Sequence, residues 1–498
     1  MTIDYDVVII GGTLAGRYAA LRATKLHAKV ALVEPQINYG FVYHQTLSEI
    51  AKIFQSFNDA ADFGIHTTHA DTAEKCQISV AWQKAMQYAD EVAENIHEIN
   101  SPAKLAALGV DVIIGRGEFQ PTPHLAFTVY ENDSKYSDSS SQNSLLRVLR
   151  GRTYLLASGS HPAIPNIDGL QATGYLNLNN IWQLIAKQSI PQNWAILGGV
   201  PQSIEIAQTL ARLGCTVTLI VKFPHILPNI DPEIAQLLQA QLEVDGVRVL
   251  TQTLTTQVRQ IDGKKWLQAG DKAIETDEIL VATGQQPNFA SLNLAAVGVK
   301  WHQQRLVVNH KLQTTNPRIY ACGDVIGGYD FANIANYEAR IALNNALFLP
   351  RLNINYQHIP WAIFTRPALA QLGFTEKQAS KFYHNEFLVF RHYFKSLASA
   401  QIQSDTTGVC KLIVLRNGEI IGATILGTAA TELINLIALV IKQKIKVKDL
   451  ANLAVVYPSF SEILVETAQL WHQQRLNSNL DWQDKLEDFF HFRRNWNL

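Results

Sequence analysis

The stretch that decides the fold is DYDVVIIGGTLAGRYAALRATKLHAKVALVEP, residues 4–35. An apolar run leads into a glycine-rich turn, a segment of helical spacing and a second apolar run. This order predicts a strand, a helix and a parallel strand, with a nucleotide site at the turn. The plan recurs in NWAILGGVPQSIEIAQTLARLGCTVTLIVK, residues 193–222. The chain therefore contains an internal repeat, and two nucleotide sites are expected.

Composition narrows the class of protein. The chain has 498 residues, of which 47% are hydrophobic and 17% charged, with a formal net charge of -1. This length predicts several domains, and the charge gives no reason to expect nucleic-acid binding. The four cysteines are far apart and form no CxxC pair, so neither a disulfide framework nor a metal site is predicted. The N-terminus does not resemble a signal peptide, and we expect a cytoplasmic protein.

The first turn reads Gly11-Gly12-Thr13-Leu14-Ala15-Gly16, and Glu34 ends the second strand. The first glycine permits a tight turn, and the last allows close packing of helix and strand. The helix N-terminus would then face a pyrophosphate, and Glu34 would accept hydrogen bonds from a ribose. Thr13 stands where a glycine is expected. On this motif alone, an ordinary glycine-rich turn is an equal alternative.

Three later segments occur in a fixed order and change that balance. They are LLASGSHPAIPNIDG (155–169), EILVATGQQPN (278–288) and NPRIYACGDVIG (316–327). Together they resemble the two-dinucleotide flavoprotein family of lipoamide dehydrogenase, glutathione reductase and mercuric reductase. PWAIFTRPALAQLGFTEKQA (360–379) and GVCKLIVLRNGEIIGATILGTAATELI (408–434) resemble the C-terminal dimerisation domain of that family. The resemblance extends from residue 4 to about residue 470.

The resemblance implies an α/β fold of two Rossmann-like dinucleotide-binding domains, for FAD and NAD(P), plus a C-terminal α+β dimerisation domain. The expected bounds are 1–155 with 276–350 for FAD, 156–275 for NAD(P), 351–470 for dimerisation and 471–498 for an aromatic tail. It also implies FAD binding and a homodimer. In the family the acid at Asp324 bonds the ribitol chain, and a helix beginning near Ala332 lies under the flavin. The implied dinucleotide-binding residues are Gly11, Gly12, Thr13, Leu14, Ala15, Gly16, Glu34, Pro35, Gly117, Ser158, Gly159, Gly198, Gly199, Val200, Lys222, Gly284, Gly323, Asp324 and Ala332.

The second turn departs from the family pattern. Val200 and Ser203 occupy positions where small residues are expected, and Pro201 stands where disulfide reductases commonly carry a gating aromatic. Val221 replaces the acid that holds the 2′-hydroxyl of NAD, and Lys222 follows it. Loss of a carboxylate and gain of a lysine favour the 2′-phosphate of NADPH over NADH. The alternative is a degenerate site with Lys222 as a solvated loop lysine.

The segment after Glu34 lacks the chemistry that the resemblance implies. The family carries a Cys-x4-Cys pair and then Ser-Lys. In this sequence Phe41 and Thr46 stand at the expected thiol positions. The partner subunit supplies a His–Glu pair in the family, and here Tyr457 replaces the histidine while Glu462 remains. The thiols and the base that serves them are absent together. We therefore expect no dithiol–disulfide exchange.

What remains is a flavin with a nicotinamide site on one face. Reduction of a quinone or a similar small acceptor needs only FAD, a hydride donor and a proton source. We predict that function, with Tyr43 or His44 as proton source. The predicted catalytic residues are Tyr43, His44, Glu205, Tyr457 and Glu462. Three alternatives stay open: space filling by Tyr43 and His44, an FAD-binding protein with little turnover, such as a redox sensor or partner-binding flavoprotein, and a reductase that borrows thiols from another protein.

Two further features each have two competing interpretations. His66 and His69 have helical spacing but no third ligand nearby, so surface histidines are favoured over a metal site. In the tail, Trp482, Leu486, Phe489 and Phe490 share one helical face. A helix that packs on the protein's own dimer is the favoured interpretation. Attachment to a membrane surface is the alternative, and nearby acids weaken it.

Overall fold

The computed structural model describes residues 2–34, 40–65, 79–121, 124–131, 144–187, 190–328, 330–384, 386–477 and 480–496. These residues form two compact units. The first contains Met1–Phe223 and Asp245–Ile354, and the second contains Pro224–Val244 and Asn355–Leu498. His66, His69 and Cys76 lie outside the described residues. The finer division of the first unit into FAD and NAD(P) domains stays a prediction.

The described residues form strands and helices throughout both units. The strands are β1 Tyr5–Ile10, β2 Val30–Glu34, β3 Asp111–Ile114, β4 Arg116–Gln120, β5 Ala126–Tyr130, β6 Leu145–Leu149, β7 Gly151–Leu156, β8 Ser160–Pro162, β9 Leu176–Asn177, β10 Asn193–Leu197, β11 Thr216–Ile220, β12 Val247–Leu250, β13 Thr255–Ile261, β14 Lys264–Ala269, β15 Lys272–Thr276, β16 Glu278–Val281, β17 Gln285–Pro287, β18 Trp301–His302, β19 Arg305–Leu306, β20 Ile319–Ala321, β21 Trp361–Ile363, β22 Ala368–Gly373, β23 Phe387–Tyr393, β24 Val409–Leu415 and β25 Ile420–Gly427. The α-helices are α1 Leu14–Lys25, α2 Gly40–Asn58, α3 Trp82–Ile99, α4 Pro102–Ala107, α5 Leu170–Thr173, α6 Ile181–Lys187, α7 Pro201–Arg212, α8 Pro232–Val244, α9 Ala332–Leu347, α10 Glu376–Tyr383, α11 Ala398–Ile402, α12 Ala430–Lys442, α13 Val447–Ala451, α14 Glu462–Asn477 and α15 Leu480–Asn495. Short 3-10 helices cover Asp59–Phe63, Ala290–Leu292, Leu294–Val297, Gly323–Ile326, Tyr356–His358 and Phe394–Ser396.

The first unit is built on two parallel sheets. In the first sheet the order is β20-β7-β1-β2-β3, and Val7 of β1 pairs with Val30 of β2 and Thr153 of β7. The central strand is apolar on both faces because helices cover it on one side and the β4-β5-β6 sheet on the other. Strand order reverses at β1, so the turn after β1 lies where open α/β sheets bind nucleotides.

The second parallel sheet repeats the arrangement with the order β12-β11-β10-β16-β9. Trp194 of β10 pairs with Val217 of β11 and Glu278 of β16, so β10 is central as β1 is. The small antiparallel sheet β13-β14-β15 packs beside it in a common core. The internal repeat predicted from the sequence is confirmed.

The second unit is centred on the antiparallel sheet β21-β22-β25-β24-β23. Apolar residues of β24 and β25 form one core with α12, α13 and α14, including the fully buried Leu412 and Ile437. No helix of the described residues is long and apolar enough to cross a membrane.

Candidate active site

The turn after β1 has no room for side chains at its glycines. A Cβ atom at Gly11 would lie 2.2 Å from the carbonyl oxygen of Ala157, and one at Gly16 would lie 2.0 Å from that of Gly11. Gly11 also has a φ of 114°, which an L side chain rarely adopts. Thr13 caps α1, because its Oγ1 accepts from the Gly16 N–H and donates to the Ala157 carbonyl. Thr13 thus stabilises the turn in place of the expected glycine.

Glu34 is held against this turn by Arg17. The Arg17 guanidinium binds Glu34 Oε1 and the carbonyls of Gly12 and Asn100, and both side chains are buried. Burial raises the pKa of Glu34 above its ordinary value, although the Arg17 charge opposes the shift. The second oxygen, Oε2, is buried and has no hydrogen-bond partner among the described residues. A buried acceptor without a partner is unfavourable, so it suits a ligand hydroxyl.

The second turn copies the first with different side chains. A Cβ atom at Gly198 would lie 2.1 Å from the Ala282 carbonyl oxygen, as one at Gly11 does from Ala157. In the first turn Glu34 packs on Gly12. In the second turn the buried Val221 packs on the equivalent Gly199. This correspondence places Val221 at the end of its strand in the position that Glu34 has in the first repeat. It offers no acceptor to a ribose.

The start of α7 also satisfies its own backbone. The Ser203 hydroxyl donates to the Val200 carbonyl (2.8 Å) and accepts the Val200 N–H (3.1 Å). The helix begins at Pro201, which has no N–H to offer. Lys222 is exposed, and its Nζ lies 5.0 Å from the centre of the Phe223 ring. The turn therefore offers fewer donors than a glycine-rich one, while a cation stands at the strand end.

A third group of polar residues surrounds the predicted FAD-binding aspartate. Asp324 accepts from Ser160 (3.0 Å) and is hydrogen-bonded to Asp330, which accepts from Gln202 (2.6 Å). Burial and the neighbouring Asp324 charge raise the pKa of Asp330 to about 7, and burial raises the pKa of Asp324 as well. The two carboxyls therefore favour sharing a proton. The buried Glu338 accepts from the Gly323 N–H (2.6 Å) and orients this turn.

The other predicted dinucleotide-binding residues have distinct surroundings. Ser158 donates to the Asn288 carbonyl (2.5 Å), and Gly159 and Gly284 have positive φ angles of 70° and 123°. Gly117 approaches β5 so closely that a Cβ would lie 2.3 Å from the Thr128 carbonyl oxygen. At the two helix starts, Leu14 is exposed, Ala15 is buried and Ala332 opens α9. Pro35 lies outside the described residues.

The region between the two repeats contains a buried acid–base pair. His44 on α2 and Glu205 on α7 are joined at 2.9 Å, from Nε2 to Oε2, and both side chains are 8% exposed. The other ring nitrogen of His44, Nδ1, is buried and has no partner among the described residues. The sequence alone left the partner of Glu205 unknown. Among the described residues, the imidazole is therefore held by a hydrogen bond through Nε2 alone.

Tyr43, the neighbour of His44, has a different role. Its hydroxyl donates to Asp90 on α3 (2.6 Å), and burial together with that bond raises the pKa of Tyr43 to about 12. The buried ring of Trp182 stacks on Tyr43 at 6.5 Å and lies 6.0 Å from His44. Trp182 was missed by sequence reasoning. Phe41, in contrast, is 49% exposed.

The cysteines of the described residues lie outside residues 33–52, the segment that carries His44. Cys215, Cys322 and Cys410 are free thiols and buried. Burial raises the pKa of Cys215 to about 11 and that of Cys410 to about 12, and that of Cys322 also rises. A thiol is nucleophilic as its thiolate, so these three are poor nucleophiles.

The residues expected from the partner subunit lie in the second unit. Glu462 begins α14, and its Oε2 accepts from the Ser459 N–H at 3.0 Å. Tyr457 is 74% exposed. Glu462 thus caps a helix, and the Tyr457 side chain is open to solvent.

Comparison with known families gives matches over nearly the whole chain. Residues 5–339 match the model described as pyridine nucleotide-disulphide oxidoreductase, and residues 359–468 match the dimerisation domain of the same family. The chain belongs to the pyridine nucleotide-disulphide oxidoreductase family. The family uses FAD and a pyridine nucleotide, and the predicted α/β fold with a C-terminal dimerisation domain is confirmed. The dimerisation domain supports a homodimer.

Relatives within the family include a mercuric reductase, a dihydrolipoyl dehydrogenase and a flavoprotein disulfide reductase. A mercuric reductase of Staphylococcus aureus is 30% identical over 92% of this chain and 81% of its own length. A dihydrolipoyl dehydrogenase of Bacillus subtilis is 29% identical over 92% of this chain and 97% of its own. The Escherichia coli structure described as a Cu(II) complex of the HOCl-induced flavoprotein disulfide reductase RclA has a TM-score of 0.79 and 25% identity, and covers 94% of this chain and 100% of its own.

The first turn fits the FAD that this family uses. Its glycine cradle would be filled by any Cβ atom, and Glu34 Oε2, which has no partner among the described residues, would accept from a ribose hydroxyl. Thr13, Gly16 and Glu34 would hold the adenosine end of FAD, and Asp324 the ribitol chain. The second turn fits a pyridine nucleotide less well. Val221 offers no acceptor where the family has an acid, and Ser203 already binds the Val200 N–H, which is then no longer a free donor.

Proposed function

We propose that this chain is an FAD-dependent NAD(P)H oxidoreductase that reduces a quinone or a similar small acceptor without a redox-active disulfide. The observation that carries the proposal is the buried His44–Glu205 pair. In the disulfide reductases of the family the resemblance gives Glu205 a lysine partner. Here a histidine takes that place, in a segment (residues 33–52) that contains no cysteine.

The His44–Glu205 pair changes the positions at which the two cysteines of the family are expected in this sequence. In the family the lysine follows the cysteine pair along the chain. If His44 takes the place of the lysine, the thiol positions precede it, rather than coinciding with Phe41 and Thr46. Residues 35–43 read PQINYGFVY and contain no cysteine. The sequence therefore lacks the cysteine pair in either alignment.

The atom balance of the proposed reaction shows that the protein must supply a proton donor. NAD(P)H, a proton and a quinone give NAD(P)+ and a hydroquinone. Bound FAD supplies the hydride relay between the two substrates. The hydride brings both electrons and one hydrogen, so the second hydrogen must come from a proton donor. A histidine is suited to this task near neutral pH.

His44 is the best-placed proton donor of the predicted residues. Glu205 holds the ring through Nε2, and Trp182 covers it, so the imidazole is oriented and shielded from water. Nδ1 is then the nitrogen that delivers the proton. Tyr43 holds its proton tightly and anchors α2 on α3.

The test is anaerobic mixing of the flavoprotein with NADH and NADPH, followed by an acceptor. We expect flavin absorbance to bleach on a time scale of seconds, faster with NADPH, and to return on addition of menadione. Oxidised lipoamide, oxidised glutathione and Hg2+ should leave the flavin reduced. Rapid reoxidation by either disulfide would contradict the proposal.

A second candidate function is an FAD-binding protein with little turnover, acting as a redox sensor or on a partner protein. The observation that favours it is the internal hydrogen bond of Val200 N–H with Ser203, which removes a donor from the second turn. It predicts no bleaching by either nucleotide in the mixing experiment, while dithionite still reduces the flavin.

A further inference from the structure

The C-terminal helix α15 and Trp496, the residue that follows it, leave large aromatic side chains in solvent. Phe489, Phe490, Phe492 and Trp496 are 54%, 48%, 59% and 64% exposed. Every described side chain from Asp484 to Trp496 is exposed except Leu486, which is partly buried. The helix lies beyond the segment that matches the dimerisation domain, which ends at residue 468. Clustered exposed aromatics on one helix are costly in water and mark an interaction surface.

The spacing of these residues is that of a coiled coil. Lys485, Phe489, Phe492 and Trp496 follow one another at steps of four, three and four residues. We call these four residues the C-terminal seam. Within it the rings of Phe492 and Trp496 lie 4.9 Å apart, so they form a continuous stripe. Steps of three and four place residues at the a and d positions of a heptad, which face a partner helix.

The charges beside the seam complement a second copy of the same helix. With Phe489 at a and Phe492 at d, Asp488 falls at g and Arg493 at e. In a parallel pair, a g residue faces the e′ residue five positions further along on the partner. Asp488 of each copy therefore faces Arg493 of the other, and the two-fold symmetry makes the pair twice. The acids Asp484 and Glu487 fall at c and f, which point away.

We propose that α15 pairs in parallel with α15 of a second copy through the C-terminal seam. The match of residues 359–468 to a dimerisation domain provides the second copy at high local concentration, which a helix of two heptads needs. A bilayer is the poorer occupant, because the four acids of α15 outnumber its three lysines and arginines, so the helix has no net attraction to an anionic surface.

Disulfide trapping in the full-length holoprotein tests the geometry. In a Cys76→Ser background, Phe492→Cys places a thiol in the seam, and Phe490→Cys places one at the outward b position on the same helix. On mild oxidation we expect a covalent dimer from Phe492→Cys and little from Phe490→Cys. Equal yields from the two variants, or none from Phe492→Cys, would overturn the proposal.

Charge exchange in the Phe492→Cys background tests the register. Asp488→Arg and Arg493→Asp should each reduce the cross-linked fraction several-fold, and the double variant should restore it. Glu487→Arg is the matched control, since it makes the same change one residue away at an outward position. Failure of the double variant to recover would contradict the parallel pairing.

Vesicle sedimentation distinguishes a membrane from a second copy of α15 as the partner of the C-terminal seam. The wild-type protein and Phe489→Ser should both stay in the supernatant with vesicles of phosphatidylcholine and phosphatidylserine. Sedimentation of the wild-type protein that is lost in Phe489→Ser would assign the seam to a membrane and overturn the proposal.

Discussion

His44 Nε2 and Glu205 Oε2 lie 2.9 Å apart although 161 residues separate them in the chain. Because the pair is buried and His44 Nδ1 has no partner among the described residues, replacing the ring should affect the protonation step specifically. We expect His44→Gln, which keeps a donor toward Glu205, to slow menadione reduction by roughly 10²-fold. Flavin binding should be unchanged. Stopped-flow reoxidation of the reduced flavin measures the step.

Two variants sharpen this prediction. Tyr43→Phe keeps the stack on Trp182 and loses only the bond to Asp90, so it should retain the reoxidation rate. His44→Lys gives Glu205 the lysine partner that the family resemblance implies, and it should recover part of the activity. If His44→Gln reoxidises at the wild-type rate, the proton that the acceptor takes up comes from solvent and not from His44.

Glu34→Ala should weaken FAD binding. The change removes the partnerless acceptor Oε2 and leaves the buried Arg17 guanidinium without its carboxylate. A lost hydrogen bond to a charged group costs about 1.5–3 kcal/mol, or roughly ten- to a hundredfold in Kd. Titration of the apoprotein by flavin fluorescence measures it. Glu91→Ala, at an exposed glutamate, is the control and should leave Kd unchanged.

The Arg17 contribution can be separated by a double-mutant cycle. If Arg17 acts by orienting Glu34, the loss from Arg17→Met and Glu34→Ala together should be smaller than the sum of the two losses. Additive losses would mean that Arg17 contributes to FAD binding independently.

Lys222→Ala should reduce the preference for NADPH. An exposed lysine paired with the 2′-phosphate contributes about 1 kcal/mol, so KM for NADPH should rise roughly fivefold. KM for NADH should not change, because NADH lacks that phosphate. Lys272→Ala, at another exposed lysine, is the control. An equal rise in KM for both nucleotides would place Lys222 away from the ribose.

Val221→Glu should shift the nucleotide preference from NADPH toward NADH. In the first repeat a glutamate already packs on the equivalent glycine, so the backbone accommodates this side chain. The new carboxylate can accept from a ribose 2′-hydroxyl and repels a 2′-phosphate. The ratio of kcat/KM for the two nucleotides measures the change. An unchanged ratio would mean that the second turn does not bind the adenosine ribose.

Asp330 should make stability depend on pH. Its pKa in the folded protein is raised from 3.8 to about 7, mainly by burial and then by Asp324. Between those values the folded state binds more protons than the unfolded state, so this carboxyl lowers the free energy of unfolding as pH rises. Asp330→Asn should remove that part of the decline. The Tm of the apoprotein at about pH 5 and about pH 8 measures it.

The control for this prediction is Asp271→Asn, at an exposed aspartate, which should decline in Tm between the two pH values as the wild type does. An Asp330→Asn variant with the wild-type decline would assign the pH dependence to other groups.

Local sequence patterns were sufficient for the two repeats. Each glycine turn follows an all-apolar strand, and the strands that flank it are too apolar to lie anywhere but in a covered parallel sheet. The spacing from Gly16 to Glu34 also placed an acid at the correct strand end. The structure adds that Val221 stands at the same point of the second repeat.

Contacts between distant segments could not be predicted in this way. The His44–Glu205 pair joins two helices, and no periodicity links them. One signal was present: the resemblance gave Glu205 a basic partner, and His44 and Lys52 are the basic residues of residues 33–52. Arg17 carried a weaker signal, as a charged residue on the small-residue side of α1. Trp182 and Glu338 carried none.

The two glycine turns share one arrangement: Glu34 packs on Gly12 in the first turn, and Val221 packs on Gly199 in the second. In each copy the residue at the strand end rests on a glycine that cannot be enlarged, and the two turns differ in that side chain. If the two turns hold nucleotides as proposed, exchange of this one side chain changes which ribose is recognised, while the glycine that it packs on is retained.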